Sequence, residues 1–161
     1  MAKKPEKTNV MRTLDQKKIP HLEHHYESEG AISAVEVADA LGMDPAKIFK
    51  TLVTVGASKE HYVFVIPGAE ELDLKKAAKA AGEKNIAMIP AKELLPLTGY
   101  IHGGCSPIGM KKPFKTFIHE TAAELPAIVF SAGKIGYQVE LSLADLQKVI
   151  WVTPADLIAE K

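Results

Sequence analysis

The chain of 161 residues holds one cysteine, Cys105. A lone thiol excludes an internal disulfide framework and a cysteine-based zinc cluster, and it fits a reducing compartment. No apolar run is long enough to span a bilayer, and the first residues, Met1 to Lys7, carry charge without a hydrophobic segment. Neither a membrane span nor a secretory leader is expected, so the expected location is cytoplasmic. Net charge is absent too: Lys plus Arg and Asp plus Glu number 20 each. That balance argues against a protein that grips long stretches of phosphate backbone by itself, and leaves nucleic-acid contact local or shared with a partner. No repeat, low-complexity tract or interdomain linker is evident, and 47% of the residues are apolar. These features imply one domain over 1–161, with the polar, lysine-rich residues 1–8 expected to fray.

Local signals then place the elements. Asn9 can cap a helix whose apolar face is Val10, Met11 and Leu14 and which Ile19-Pro20 stops. His21 to Tyr26 reads as a short strand. Ser33 and Glu36 form a capping box for a helix that Gly42 ends, and Asp44-Pro45 starts a second short helix running into Ile48-Phe49-Lys50. Thr51 to Val55 and Tyr62 to Ile66 are β-branched runs joined by a turn, a hairpin. Asp73 caps a helix through Ala81, stopped by Gly82. Strands are expected at 86–89, 114–118, 127–131 and 137–141, a helical turn or two at 90–95, and closing helices opening at Ser142 and at Thr153-Pro154. About six strands without regular βαβ alternation indicate an α+β domain, a mixed barrel-like β-sheet flanked by short helices.

One stretch stands apart, Tyr100 to Lys112. Gly103, Gly104, Ser106, Pro107 and Gly109 fall within seven residues, and Lys111 and Lys112 follow. Glycine permits positive φ and leaves no Cβ in the way of an approaching group, while proline stiffens the turn. The exposed amides of such a loop can hold an anion or an oxyanion, although the spacing fits neither a Walker loop nor a dinucleotide fingerprint. A plain surface turn is the commoner origin of such a segment. Lys50 changes the balance. It sits at the head of the hairpin among Phe49, Leu52 and Val53, either snorkelling to the surface or as a partly desolvated cation at a pocket mouth.

The sequence resembles the YbaK/EbsC-type aminoacyl-tRNA deacylases, free-standing relatives of the editing domain inserted in bacterial prolyl-tRNA synthetases. The resemblance rests on Ile48-Phe49-Lys50-Thr51-Leu52, on Leu72 to Ala80, on Thr98-Gly99-Tyr100 with Gly103 to Lys112, and on Ser131-Ala132-Gly133-Lys134-Ile135-Gly136. These blocks occur in the family's order and span nearly the whole chain. The branch it matches best clears Cys-tRNA(Pro). The resemblance implies trans-editing: removal of a mischarged amino acid from the tRNA 3′ end. The zero net charge points to tRNA identity being read in a transient complex with prolyl-tRNA synthetase, and no cofactor or metal is expected. The resemblance implies Lys50 as the catalytic side chain. Substrate binding falls to Tyr26, Gly103, Gly104, Ser106, Pro107 and Gly109.

The chemistry is consistent with that implication. One preorganised donor at a developing oxyanion is worth about 3–4 kcal/mol, and amides around Gly103 and Gly104 can supply it. No protein nucleophile paired with a base is evident, whereas a cysteinyl ester brings its own thiol, with an ordinary pKa of about 8.5. Such a thiolate can attack its own carbonyl, expelling tRNA and leaving a thiolactone. An editing site is needed because a small pocket rejects a near-isostere by only about 10–200-fold.

Several residues depart from the family pattern or carry a second meaning. Cys105 stands where the family usually has an aliphatic residue, and an unpaired cysteine is most often a small buried hydrophobe. Gln138 stands where the family often carries Asp, a departure that bears on the amino-acid specificity. Ser106 can donate to substrate or close a turn with its own backbone. His24 and His25 fall on opposite faces of a strand and make no joint metal site. Two competing functions are a water-using deacylase for another small residue such as alanine, and a non-catalytic protein that binds a nucleotide or an aminoacyl-adenosine.

Overall fold

The computed structural model describes residues 6–30 and 32–160. Helix α1 (Asn9–Gln16) is followed by β1 (Leu22–His25), α2 (Ala34–Leu41), β2 (Phe49–Gly56), β3 (His61–Pro67), α3 (Leu74–Ala81), β4 (Ile86–Met88) and α4 (Leu94–Thr98). The rest of the chain supplies β5 (Lys115–His119), β6 (Ile128–Ser131), β7 (Tyr137–Leu141), α5 (Leu143–Leu146) and β8 (Val152–Ala155). Single 3₁₀ turns lie at Pro45–Lys47, Ala91–Glu93 and Glu120–Glu124.

The strands form an antiparallel sheet ordered β1-β7-β6 and a mixed sheet ordered β4-β2-β3-β5-β8, in which β3/β5 and β5/β8 are parallel. A parallel bridge between Ile48 and Val129 ties the two together. One core fills the space between them: Phe49, Val53, Val63, Val65 and Ile118 from the mixed sheet meet Ile128, Phe130, Val139 and Leu141 from the other, and α1 closes one side with Val10, Met11 and Leu14. This is the mixed, barrel-like α+β arrangement expected from the sequence. Strand β3 shows why it holds: its alternation sends Val63 and Val65 into that core, and Tyr62, Phe64 and Ile66 to a second one beneath α3. A third cluster under α2 joins Tyr26, Val37, Ala38, Ile48 and Val129.

Most expected helix signals act as read. Ser33 and Glu36 form the capping box of α2, Asp73 caps α3, Ser142 caps α5, and Gly42 and Gly82 end α2 and α3. Others require correction. Thr8, not Asn9, caps α1, because Thr8 is extended and its hydroxyl accepts from Met11 N, while Asn9 is already helical and its Oδ1 accepts from Arg12. Strand β2 starts at Phe49, two residues early, because the turn at Pro45–Lys47 ends before it. The helix expected to open at Thr153-Pro154 is the strand β8, which brings the described strands to eight. As the outer strand of its sheet β8 tolerates a proline, which has no N–H to donate.

The fraying expected over 1–8 falls partly on residues outside those described. Of the remainder, Glu6 N donates to Tyr137 Oη at 3.2 Å and Lys7 pairs with Asp15 and Glu23. Among the described residues no helix is long and apolar enough to cross a membrane.

His119, at the end of β5, is buried, and its Nδ1 accepts from Leu157 N at 3.2 Å. Burial holds its pKa below the ordinary 6.5, against the raising influence of Asp156 and Glu120. An unfolded chain therefore takes up this proton before the folded one does. The stability that depends on neutral His119 is present above the ordinary pKa and is lost as the pH falls from about 6.5 toward the lower folded value. The urea midpoint is expected to drop between pH 7.5 and 5. Substitution His119→Asn, which keeps an acceptor without a titrating ring, should flatten that drop.

Candidate functional site

A cavity of about 470 Å³ opens where α2, β2, the glycine loop and the antiparallel sheet converge. Its wall follows from strand alternation. In β7, Tyr137, Val139 and Leu141 enter the central core, so Gln138 faces the other way. In β6, Phe130 turns inward and Ser131 outward, and the register sets Gln138 between Ser131 and His24. Phe49 packs into the core while its neighbour Lys50 lines the cavity.

Lys50 is half-buried, and its ammonium makes no hydrogen bond or ion pair with another described residue. Burial pushes its pKa down from the ordinary value, and the charges of Glu71 and Glu70 oppose that shift. A desolvated cation with unspent hydrogen-bonding capacity attracts any anion or polarised oxygen that enters. Tyr26, buried at the end of β1, is fixed by its backbone N–H, which donates to Gly136 O at 2.9 Å.

The loop is built to come close. Gly103 and Gly109 have φ of 86° and 80°. A Cβ on Gly109 would lie 2.8 Å from Tyr100 Oη, which itself donates to Ile108 O at 2.6 Å. Gly104 is buried against the 131–136 turn, where a Cβ would meet the backbone of Lys134 and Ile135 at 3.4 Å. Its amide donates to Ile101 O at 3.0 Å, whereas the amides of Gly103 and Cys105 donate to no described residue.

Of the residues singled out from sequence, Lys50, Tyr26 and Gly103 come together on the cavity wall. Gly104 and Ser106 are buried behind it, and Ser106 Oγ accepts from Ile108 N at 3.3 Å, closing a turn. Pro107 and Gly109 line a second cavity of about 400 Å³. Cys105 lines the first, but burial pushes its thiol up to about 12, so it stays protonated and weakly nucleophilic.

Two further wall groups are Gln138, marked in the sequence by its departure from the family's Asp, and Thr51, which the sequence does not single out. Gln138 as a residue is only 5% exposed and its carboxamide bonds no described residue, and the hydroxyl of Thr51 is buried without a partner among the described residues. Period-two alternation in β7 is the signal that locates Gln138. For Thr51, inside a β-branched run, composition offers none.

Away from the cavity, Asp15, His21 and Glu23 bring ligand-type atoms within 4.8 Å of one another. Lys7 already lies between the two carboxylates, at 2.8 and 2.7 Å, and supplies the positive charge that cluster needs.

Comparisons with known proteins bear on the family and the fold. The model of the aminoacyl-tRNA editing domain matches residues 28–149. A protein of Enterococcus faecalis assigned by name as a Cys-tRNA(Pro)/Cys-tRNA(Cys) deacylase, EbsC, is 53% identical over 145 residues, 88% of each chain. A proline--tRNA ligase of Shouchella clausii is 36% identical over 76 residues, 47% of this chain and 13% of the ligase. Among solved structures, one described as a trans-editing enzyme for prolyl tRNA synthetase superposes with a TM-score of 0.80 at 25% identity, covering 94% of this chain and 95% of that one. A hypothetical protein shares the fold, with a TM-score of 0.83 at 21% identity over 93% and 99% of the two chains. With its editing-domain match covering both the Lys50 strand and the glycine loop, the chain belongs to the aminoacyl-tRNA editing domain family.

Proposed function

We propose that the Lys50 cavity cleaves the aminoacyl ester of a mischarged tRNA, with Cys-tRNA(Pro) as its principal substrate, acting in trans during encounters with prolyl-tRNA synthetase. The observation that carries the reading is the unpaired, half-buried ammonium of Lys50 in a cavity bordered by the Gly103 and Cys105 amides. A cavity of this volume suits an aminoacyl-adenosine. The EbsC relative supports the choice of cysteine.

The groups divide the work by charge. Lys50 fixes the substrate by its α-substituents or terminal ribose and favours the thiolate of a cysteinyl ester. The loop amides face the carbonyl oxygen as it becomes an oxyanion. The substrate thiol loses its proton, its sulfur bonds to the carbonyl carbon, and the carbon–oxygen bond to the ribose breaks. The ribose oxygen takes up a proton, leaving intact tRNA and a four-membered thiolactone, which water opens to cysteine. The protein supplies no nucleophile, consistent with a protonated Cys105.

2-Aminobutyryl-tRNA tests this path, since a methyl group replaces the thiol at nearly the same size and removes the nucleophile. Thiol assistance predicts that its single-turnover cleavage is slower than that of the cysteinyl ester by two orders of magnitude or more, about the contribution of a positioned intramolecular nucleophile. Equal rates would establish attack by water instead.

A further inference from the structure

The second cavity, like the first, is bordered by the glycine loop. Its walls are Pro107, Gly109 and Met110 from the loop, Lys112 and Lys115 beyond it, and Trp151. Trp151 is 56% exposed, and its ring meets that of Phe117 in a T-shaped contact at a centroid distance of 5.5 Å, which holds the indole without burying it. Register explains the neighbourhood. Strands β5 and β8 run parallel with Thr116 opposite Val152, so Lys115 and Trp151, one step earlier on each strand, are neighbours. Lys112 and Lys115 are exposed, form no ion pair with a described residue, and share the cavity wall with no carboxylate.

An exposed aromatic face, a flanking pair of free cations and no opposing acid are the elements of a single-stranded nucleic-acid platform: bases stack on the ring and phosphates meet the cations. The loop ties this platform to the first cavity, because Gly103 and Cys105 face one and Pro107 and Gly109 the other. We propose that the Trp151 cavity holds the unpaired nucleotides preceding the terminal aminoacylated adenosine of tRNA, one base stacking on Trp151 and its phosphate meeting Lys112 and Lys115. The assignment rests on the deacylase reading of the first cavity and adds how the acceptor end is held there. Zero net charge is compatible with it, since the contact is confined to a few phosphates.

Trp151 is the sole tryptophan, so its fluorescence reports on this site alone. An RNA hairpin with an unpaired 3′ ACCA tail is expected to quench that emission, and the same hairpin with a blunt end is not. Cleavage is then measured on cysteinyl-tRNA and on cysteinyl-adenosine, which lacks the preceding nucleotides. With Trp151→Ala, KM for the tRNA should rise roughly 10- to 100-fold while kcat changes little, the range expected for one lost base stack. The effect on cysteinyl-adenosine should be smaller by tenfold or more. The double variant Lys112→Glu and Lys115→Glu alters only exposed side chains and should reproduce the selective loss, with a weaker salt dependence. Absence of tail-dependent quenching, or equal losses on the two substrates, would overturn the platform while leaving the deacylase reading standing. Failure of the wild-type protein to cleave either substrate would overturn the deacylase reading and the platform with it.

Discussion

Substitution Lys50→Ala is expected to slow single-turnover cleavage of Cys-tRNA(Pro) about 100- to 1000-fold, the range for removing one preorganised electrostatic contact from a desolvated site. Stability should hardly change. Lys50 makes no hydrogen bond or ion pair whose loss would leave a described partner stranded, and the cost of its own desolvation disappears with it. The melting temperature is therefore expected to stay within about 3 °C of wild type, as for a change below 1 kcal/mol. Lys50→Met, which keeps most of the volume, should lose activity equally and so separate charge from cavity filling. A methionine variant that retained activity would show that Lys50 serves only to fill the wall.

Gly136→Ala is expected to damage both stability and the site. Gly136 has a φ of 93°, and a Cβ there would stand 2.7 Å from Tyr26 O, a backbone atom that a rotamer change cannot move. Left-handed backbone in a non-glycine residue costs about 1–2 kcal/mol, and the clash raises the total to about 3 kcal/mol. For a domain of this size that lowers the melting temperature by about 10 °C. The damage should also reach function, because Tyr26 N donates to Gly136 O and this bond sets Tyr26 in the cavity wall. Gly30→Ala is the control: nothing lies within 4 Å of a Cβ there, and φ is not in the positive range. A Gly136 variant as stable as the Gly30 variant would contradict the described turn.

The contrast between these glycines also bounds what sequence reveals. Most helix caps were legible because they depend on residues two to four apart, as Ser33 with Glu36 and Asp73 with Lys76 illustrate, whereas at α1 the cap is Thr8 and not Asn9. The hairpin was legible from its β-branched runs. Strand β8 was not, since Val152-Thr153-Pro154-Ala155 is short, contains proline, and becomes a strand only by lying beside β5. The site divides in the same way. Lys50 and the loop stood out by chemical type and by family resemblance. Which loop residues face which cavity did not, because turns as tight as Ser106 to Ile108 decide it atom by atom. Trp151 and Lys115 lie 36 positions apart, and parallel strand pairing alone makes them neighbours.

The account stands most directly on single-turnover deacylation of Cys-tRNA(Pro), Ala-tRNA(Pro) and Pro-tRNA(Pro) by the wild-type and Lys50→Ala proteins. It predicts rapid loss of the cysteinyl ester alone, abolished by the substitution. Equal clearance of the alanyl ester, or turnover of the cysteinyl ester that survives Lys50→Ala, would contradict it.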